Sequence, residues 1–134
     1  MSQENLEIAR RAAESFGAGG LEETLRFYTE DVIWFPFPDA PESQDGFHGH
    51  AGVRELMAGW FASFDDYVAR PVDFRDLGDR VVTLGEMSGT IKGSSVGVEQ
   101  PVASIAWDFR DGKIGRIRFF PTWEAALEAA GLSE

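Results

Sequence analysis

A chain of 134 residues with 43% hydrophobic and 13% aromatic content is long enough for one domain around one core, with aromatic material left for the wall of a cavity. Acidic residues number 23 against 12 basic ones, and the formal charge of −11 repels phosphate backbones and anionic lipid, so neither nucleic acid nor a membrane is an expected partner. Cysteine is absent, which removes disulfides, thiolate metal sites and a cysteine nucleophile.

In chain order, MSQENLEIARR has no basic segment followed by an apolar run, and no stretch approaches the roughly 18 consecutive apolar residues of a membrane span. A cytoplasmic protein is the expectation. Residues 3–16 set Leu6, Ala9, Ala13 and Phe16 at helical spacing, with Ser2 as the cap and GAGG at 17–20 as the stop. LEETLRFY follows with Leu21, Leu25 and Tyr28 on one face. Asp31 to Phe35 then reads as an opening strand, which Pro36 and Pro38 end or confine to a sheet edge.

Past the polar loop ESQDGFHGH, Val53, Leu56, Met57, Trp60, Phe61 and Phe64 recur at steps of three and four. This predicts a third helix over 51–64 whose wide apolar face lies on a sheet. From Val72 the period becomes two, and LGDR, KGSS and RDGK separate four strands, which predicts an antiparallel sheet. Thr122 then caps WEAALEAA, closed by Gly131. Helices early and strands late specify a single α+β domain over 1–134: a conical barrel of a curved, mostly antiparallel sheet wrapped around three helices, with a short C-terminal helix. Such a cone can hold a small ligand at its open end.

The order of elements, together with AGGLEETLRFYTEDVIW (18–34), FHGHAGVREL (47–56), FRDGKIGRIRF (109–119) and EAALEAAGL (124–132), resembles the nuclear transport factor 2 superfamily, and within it the SnoaL-like and ketosteroid-isomerase-like proteins. The resemblance implies a pocket between sheet and helices and a homodimer formed through the outer sheet face, here carrying Val82 and Leu84. Isomerase relatives need a carboxylate base and an oxyanion hole made of a tyrosine and a protonated acid. The matching positions here are Ala12, Pro36, Met57 and Ile105, all apolar. The His-x-Asp pair of cyclase relatives falls on Ile117 and Phe119.

Strand alternation places Val32, Trp34, Pro36, Thr83, Gly85, Met87, Ala103, Ile105, Trp107, Ile117 and Phe119 toward the cavity, and Val82, Leu84, Glu86, Arg116 and Arg118 away from it. Glu86 then reads as part of an outer charge set with the two arginines. The expected ligand-binding residues are Trp34, Pro36, Met57, Trp60, Thr83, Met87, Ile105, Trp107, Ile117 and Phe119.

Candidates for acid or base are His48, Asp45 and Tyr28, each with a plainer alternative: a loop histidine, a loop carboxylate, and the polar tip of a core aromatic. Asp31 reads as a turn or capping carboxylate, and His50 as a helix-start residue. Two histidines at i and i+2 on a glycine-containing loop are a poor match to the usual ligand sets, so no metal is expected, and the function expected below needs no cofactor. The functional expectation is an apolar pocket for a small cyclic or aromatic molecule, with isomerase, cyclase or hydrolase activity independent of a cofactor. The alternative is a noncatalytic binding or dimeric assembly domain.

Overall fold

The computed structural model describes residues 2–17, 20–36 and 45–132. In chain order the elements are α1 (Ser2–Gly17), α2 (Leu21–Thr24) with a following 3-10 turn (Leu25–Phe27), β1 (Tyr28–Phe35), β2 (Phe47–His48), α3 (Gly49–Phe61), β3 (Phe64–Asp76), β4 (Arg80–Ile91), β5 (Gly97–Arg110), β6 (Lys113–Phe120) and α4 (Trp123–Ala129). The six strands form one α+β sheet in the order β2-β1-β6-β5-β4-β3. Strands β3 to β6 are an antiparallel meander, and β1 lies parallel to β6 with Trp34 opposite Ile117.

Two boundaries differ from the sequence reading. Tyr28 is the first residue of β1 rather than the last of a helix, because the helical segment tightens into a 3-10 turn before it. Phe64 begins β3 rather than ending α3. Its ring still meets that of Trp60 at 5.4 Å, so the apolar spacing runs on past the end of the helix. Ala18, Gly19, Phe37, Pro38 and Asp39, which entered the reading of a helix stop and a strand end, lie outside the described residues.

The sheet is covered on both faces. On the inner face, Phe16 of α1, Val53 and Met57 of α3, and Val32, Trp34, Ala106, Ile114 and Ile117 of the sheet form the larger cluster. On the outer face, Ala126, Leu127 and Ala130 pack on Val82, Leu84, Ala103, Ile105 and Phe120. α4 is held there by its N-cap, the Thr122 hydroxyl oxygen accepting from the Ala125 N–H at 3.0 Å.

The second cluster corrects the phase expected for β5. Ile105 and Trp107 lie on the outer face, Ile105 buried under α4 and Trp107 stacked on Phe35 at 6.0 Å, and neither lines a cavity. The cause is local. Asp108 has a left-handed backbone (φ 60°) inside the strand, and opposite it Gly115 leaves no room for a side chain, since a Cβ would stand 2.6 Å from the Asp108 carbonyl oxygen. Phe109 and Ile114 face inward before this irregularity, and Ala106 and Ile117 face inward beyond it. Counting by twos from Phe109 therefore selects the wrong face of β5.

Val82 and Leu84 do point outward, but α4 of the same chain covers them to 0% and 1% exposure. Glu86 is also outward, with a different partner from the one expected: Arg70 of β3, at 2.7 Å. Arg116 reaches Asp108 at 3.6 Å instead, and Arg118 lies over the Phe35 ring at 4.6 Å.

Candidate functional site

A cavity opens on the inner face because the residues that meet there are small. α1 contributes Ala9, Ala12 and Ala13, and the sheet contributes Thr83, Gly85, Ser104 and Ala106. Gly85 has a second reason to be small, since a Cβ there would approach the Arg70 carbonyl oxygen to 2.8 Å. Aromatic rings close the remaining sides: Phe16, Tyr28, Trp34, Tyr67 and Phe119. The space between them, counted together with its open mouth, is about 630 Å³.

A second cavity, of about 350 Å³ with its open mouth counted in, is lined by Trp34, Pro36, Leu56, Met57, Trp60 and Phe119 and has almost no polar surface. Trp34 and Phe119 line both cavities, with ring centroids 4.9 Å apart, and so form the partition between them.

Trp34 is 1% exposed and meets Tyr28 edge-on at 5.4 Å. Its indole N–H is buried and has no acceptor among the described residues. Tyr28 is buried too, and burial alone pushes its hydroxyl far above the usual tyrosine range, so it stays protonated. Tyr67 is likewise raised by burial, with Trp60 pulling weakly the other way.

Of the expected ligand-binding residues, Trp34, Thr83, Ile117 and Phe119 line the first cavity, and Trp34, Pro36, Met57, Trp60 and Phe119 line the second. Met87 is buried on the inner face opposite Ala69 and lines neither. Ser104 and Ala106 are the β5 residues that the shifted phase concealed. Of the three acid–base candidates, only Tyr28 lines a cavity.

His48 and Asp45 are exposed and meet each other, the His48 imidazole lying 2.8 Å from the Asp45 carbonyl oxygen. His50 stands 3.2 Å from the Tyr28 carbonyl oxygen. Asp31 accepts from the Thr29 hydroxyl at 2.8 Å and from Arg110 at 2.9 Å, and Arg110, then Thr29, hold its carboxyl below the usual range.

No carboxylate or imidazole lines either cavity among the described residues, and the one guanidinium at the first, Arg70, has a 72% exposed side chain turned to Glu86. Nor do three or more His, Asp or Glu of the described residues come together as metal ligands. The wall therefore offers protonated hydroxyls and aromatic faces. It can hold a planar apolar molecule and donate hydrogen bonds to it, but among the described residues it has no group poised to take a proton at neutral pH. No helix among the described residues is long and apolar enough to cross a membrane.

Comparisons with known proteins agree with the fold. An NTF2-like protein of unknown function from Burkholderia pseudomallei K96243 is similar at a TM-score of 0.75 and 20% identity, over 93% of this chain and 95% of that one. TerC, co-crystallized with polyporic acid, is similar at 0.73 and 24% identity, over 93% and 96%. A protein with a ketosteroid isomerase-like fold from Catenulispora acidiphila DSM 44928, in complex with trimethylamine, is similar at 0.71 and 17% identity, over 95% and 94%. At these identities the likeness is one of fold. No curated protein matches the chain. A family model described as the SnoaL-like domain matches residues 9–117, most of the sequence, and the chain belongs to that family.

Proposed function

We propose that the protein binds a small, neutral, ring-containing apolar molecule in the cavity between α1 and the sheet, without a cofactor and without acid–base chemistry of the ketosteroid isomerase kind. The observation that carries this reading is the wall itself: aromatic rings and alanines, with hydroxyl groups and the outward-turned Arg70 as its polar side chains and no carboxylate or imidazole among the described residues. TerC, of the same fold, was co-crystallized with a small molecule, polyporic acid, which supports a binding role for such a cavity.

Titration with aromatic ketones tests the reading through tryptophan fluorescence, because Trp34 lines both cavities. Saturable quenching below millimolar ligand is expected. No response at millimolar concentration of any compound would remove the proposal.

One observation favours a second reading, an isomerase, cyclase or hydrolase that works by charge stabilisation. The Tyr28 hydroxyl is kept protonated in the cavity wall, where it can donate to an oxygen gaining negative charge. Tyr28→Phe separates the two: a binding protein keeps its affinity within a few fold, and an enzyme of this type loses its rate. The homodimer implied by the resemblance would have to use the outer face that α4 leaves open, where Val68 of β3 is 50% exposed. A monomer in sedimentation at high protein concentration would exclude it.

A further inference from the structure

The inner wall of the first cavity carries two hydroxyl side chains on adjacent strands. Thr83 of β4 and Ser104 of β5 are directly opposite each other in the antiparallel register. Both line the cavity and both are half-buried. Directly opposed residues hold their Cβ atoms about 4.5–5.5 Å apart on one face of the sheet, a separation at which two hydroxyls can close on a single atom between them. Among the described residues neither hydroxyl has a hydrogen-bond partner. The other hydroxyls of the described wall, those of Tyr28 and Tyr67, belong to β1 and β3, and the rest is mainly aliphatic side chains, glycine and aromatic rings, so the pair is the point where two hydroxyls stand directly opposite each other. In small-molecule sites such points fix orientation and specificity.

We propose that the Thr83 and Ser104 hydroxyls form a joint anchor for one uncharged oxygen atom of the ligand, so that the cavity selects ring ketones over the parent hydrocarbons and over the corresponding carboxylates. The inference rests on the binding role proposed for this cavity. A hydroxyl donates one hydrogen bond and accepts others, so two of them satisfy both lone pairs of a carbonyl oxygen without a charge. An anion gains nothing comparable. The guanidinium of Arg70 is turned outward to Glu86 at 2.7 Å, and the whole chain carries a net charge of −11. A carboxylate entering the cavity would lose its hydration with no cation to replace it.

The test uses indane, 1-indanone and indane-1-carboxylate, three probes on one ring skeleton, titrated calorimetrically into the full chain and into Thr83→Val, Ser104→Ala and the double variant. The unsubstituted protein is expected to bind 1-indanone about five- to tenfold more tightly than indane, the range that one or two net hydrogen bonds supply, and more tightly than the carboxylate. Each single substitution should reduce that preference. The double variant should abolish it while leaving indane affinity unchanged. Infrared spectroscopy of 1-indanone bound to the unsubstituted protein gives an answer independent of any variant, with the carbonyl stretch expected below its position in hydrocarbon solvent.

Equal binding of indane and 1-indanone, a preference that survives the double substitution, tighter binding of the carboxylate, or an unshifted carbonyl stretch would each overturn the anchor and leave the cavity's binding role standing. If no probe binds, the binding role falls and the anchor falls with it.

Discussion

Gly85 and Tyr28 show how single residues set the character of the cavity. An alanine at 85 would bring its Cβ to 2.8 Å from the backbone oxygen of Arg70, so β3 and β4 would have to separate or the new methyl intrude on the cavity. Gly85→Ala is expected to cost roughly 1–3 kcal/mol, the usual penalty of overpacking, read as a lower urea midpoint at unchanged slope. Tyr28 supplies a pH dependence. Burial raises its hydroxyl, and that of Tyr67, above the unfolded value of about 10.

The folded chain thus keeps protons that the unfolded chain releases, so the tyrosines' contribution to stability is level below about pH 9 and falls as pH rises past about 10. The chain has two tyrosines, so tyrosinate absorbance reports on these two alone. No step is expected near pH 10 while the protein remains folded. A reversible step there, with native circular dichroism, would show a hydroxyl open to water. Asp31 acts in the opposite sense: its lowered carboxyl contributes stability above about pH 4 that is lost as pH falls through the folded value.

At the level of elements, α4 is a short helix whose effect is large, because it turns one side of the sheet into a second core. Thr122→Ala removes the acceptor for the Ala125 N–H and is expected to cost about 1 kcal/mol. Leu127→Ala, at a side chain 6% exposed among Val82, Leu84 and Ile105, is expected to cost about 2–5 kcal/mol. Chemical denaturation measures both. An equal, small effect would mean that α4 is not docked in solution.

The same helix explains what the sequence could and could not tell. The helical spacing of Val53 and Met57, the turns LGDR, KGSS and RDGK, and the Thr122 cap all led to elements that exist, because each signal is local. The face of β5 was not legible in this way. Ala103 and Ile105 are buried in the cluster that α4 covers and Trp107 is half-buried beside them, while Ser104 and Ala106 meet the cavity, so apolar residues stand on both faces and alternation carries no sign. The left-handed Asp108 then reverses the count. One signal was present: Ile114 and Ile117, three apart on one strand, cannot share a face unless the strand is irregular, and both are in the inner cluster. The hydroxyl pair was missed for that reason.

For the molecule as a whole, charge decides more than the ion pairs do. The pairs seen among the described residues are superficial: Arg54 to Glu22 at 2.7 Å has side-chain exposures of 49% and 69%, and even Arg116 to Asp108 has 28% and 35%. Pairs of this kind contribute about 0–1 kcal/mol each and weaken in salt. Opposing them is the mutual repulsion of an excess of 11 negative charges held on one small domain. Adding salt from about 0.01 to 0.15 M shortens the screening length from about 30 to about 8 Å. That change removes repulsion between charges far apart on the surface and leaves pairs at contact distance less affected. The melting temperature is therefore expected to rise with sodium chloride over this range, measured by scanning calorimetry at neutral pH. A fall would mean that the exposed pairs outweigh the repulsion. The cavity supplies an internal control, since a neutral ligand anchored by hydroxyls should bind with an affinity that does not change with salt.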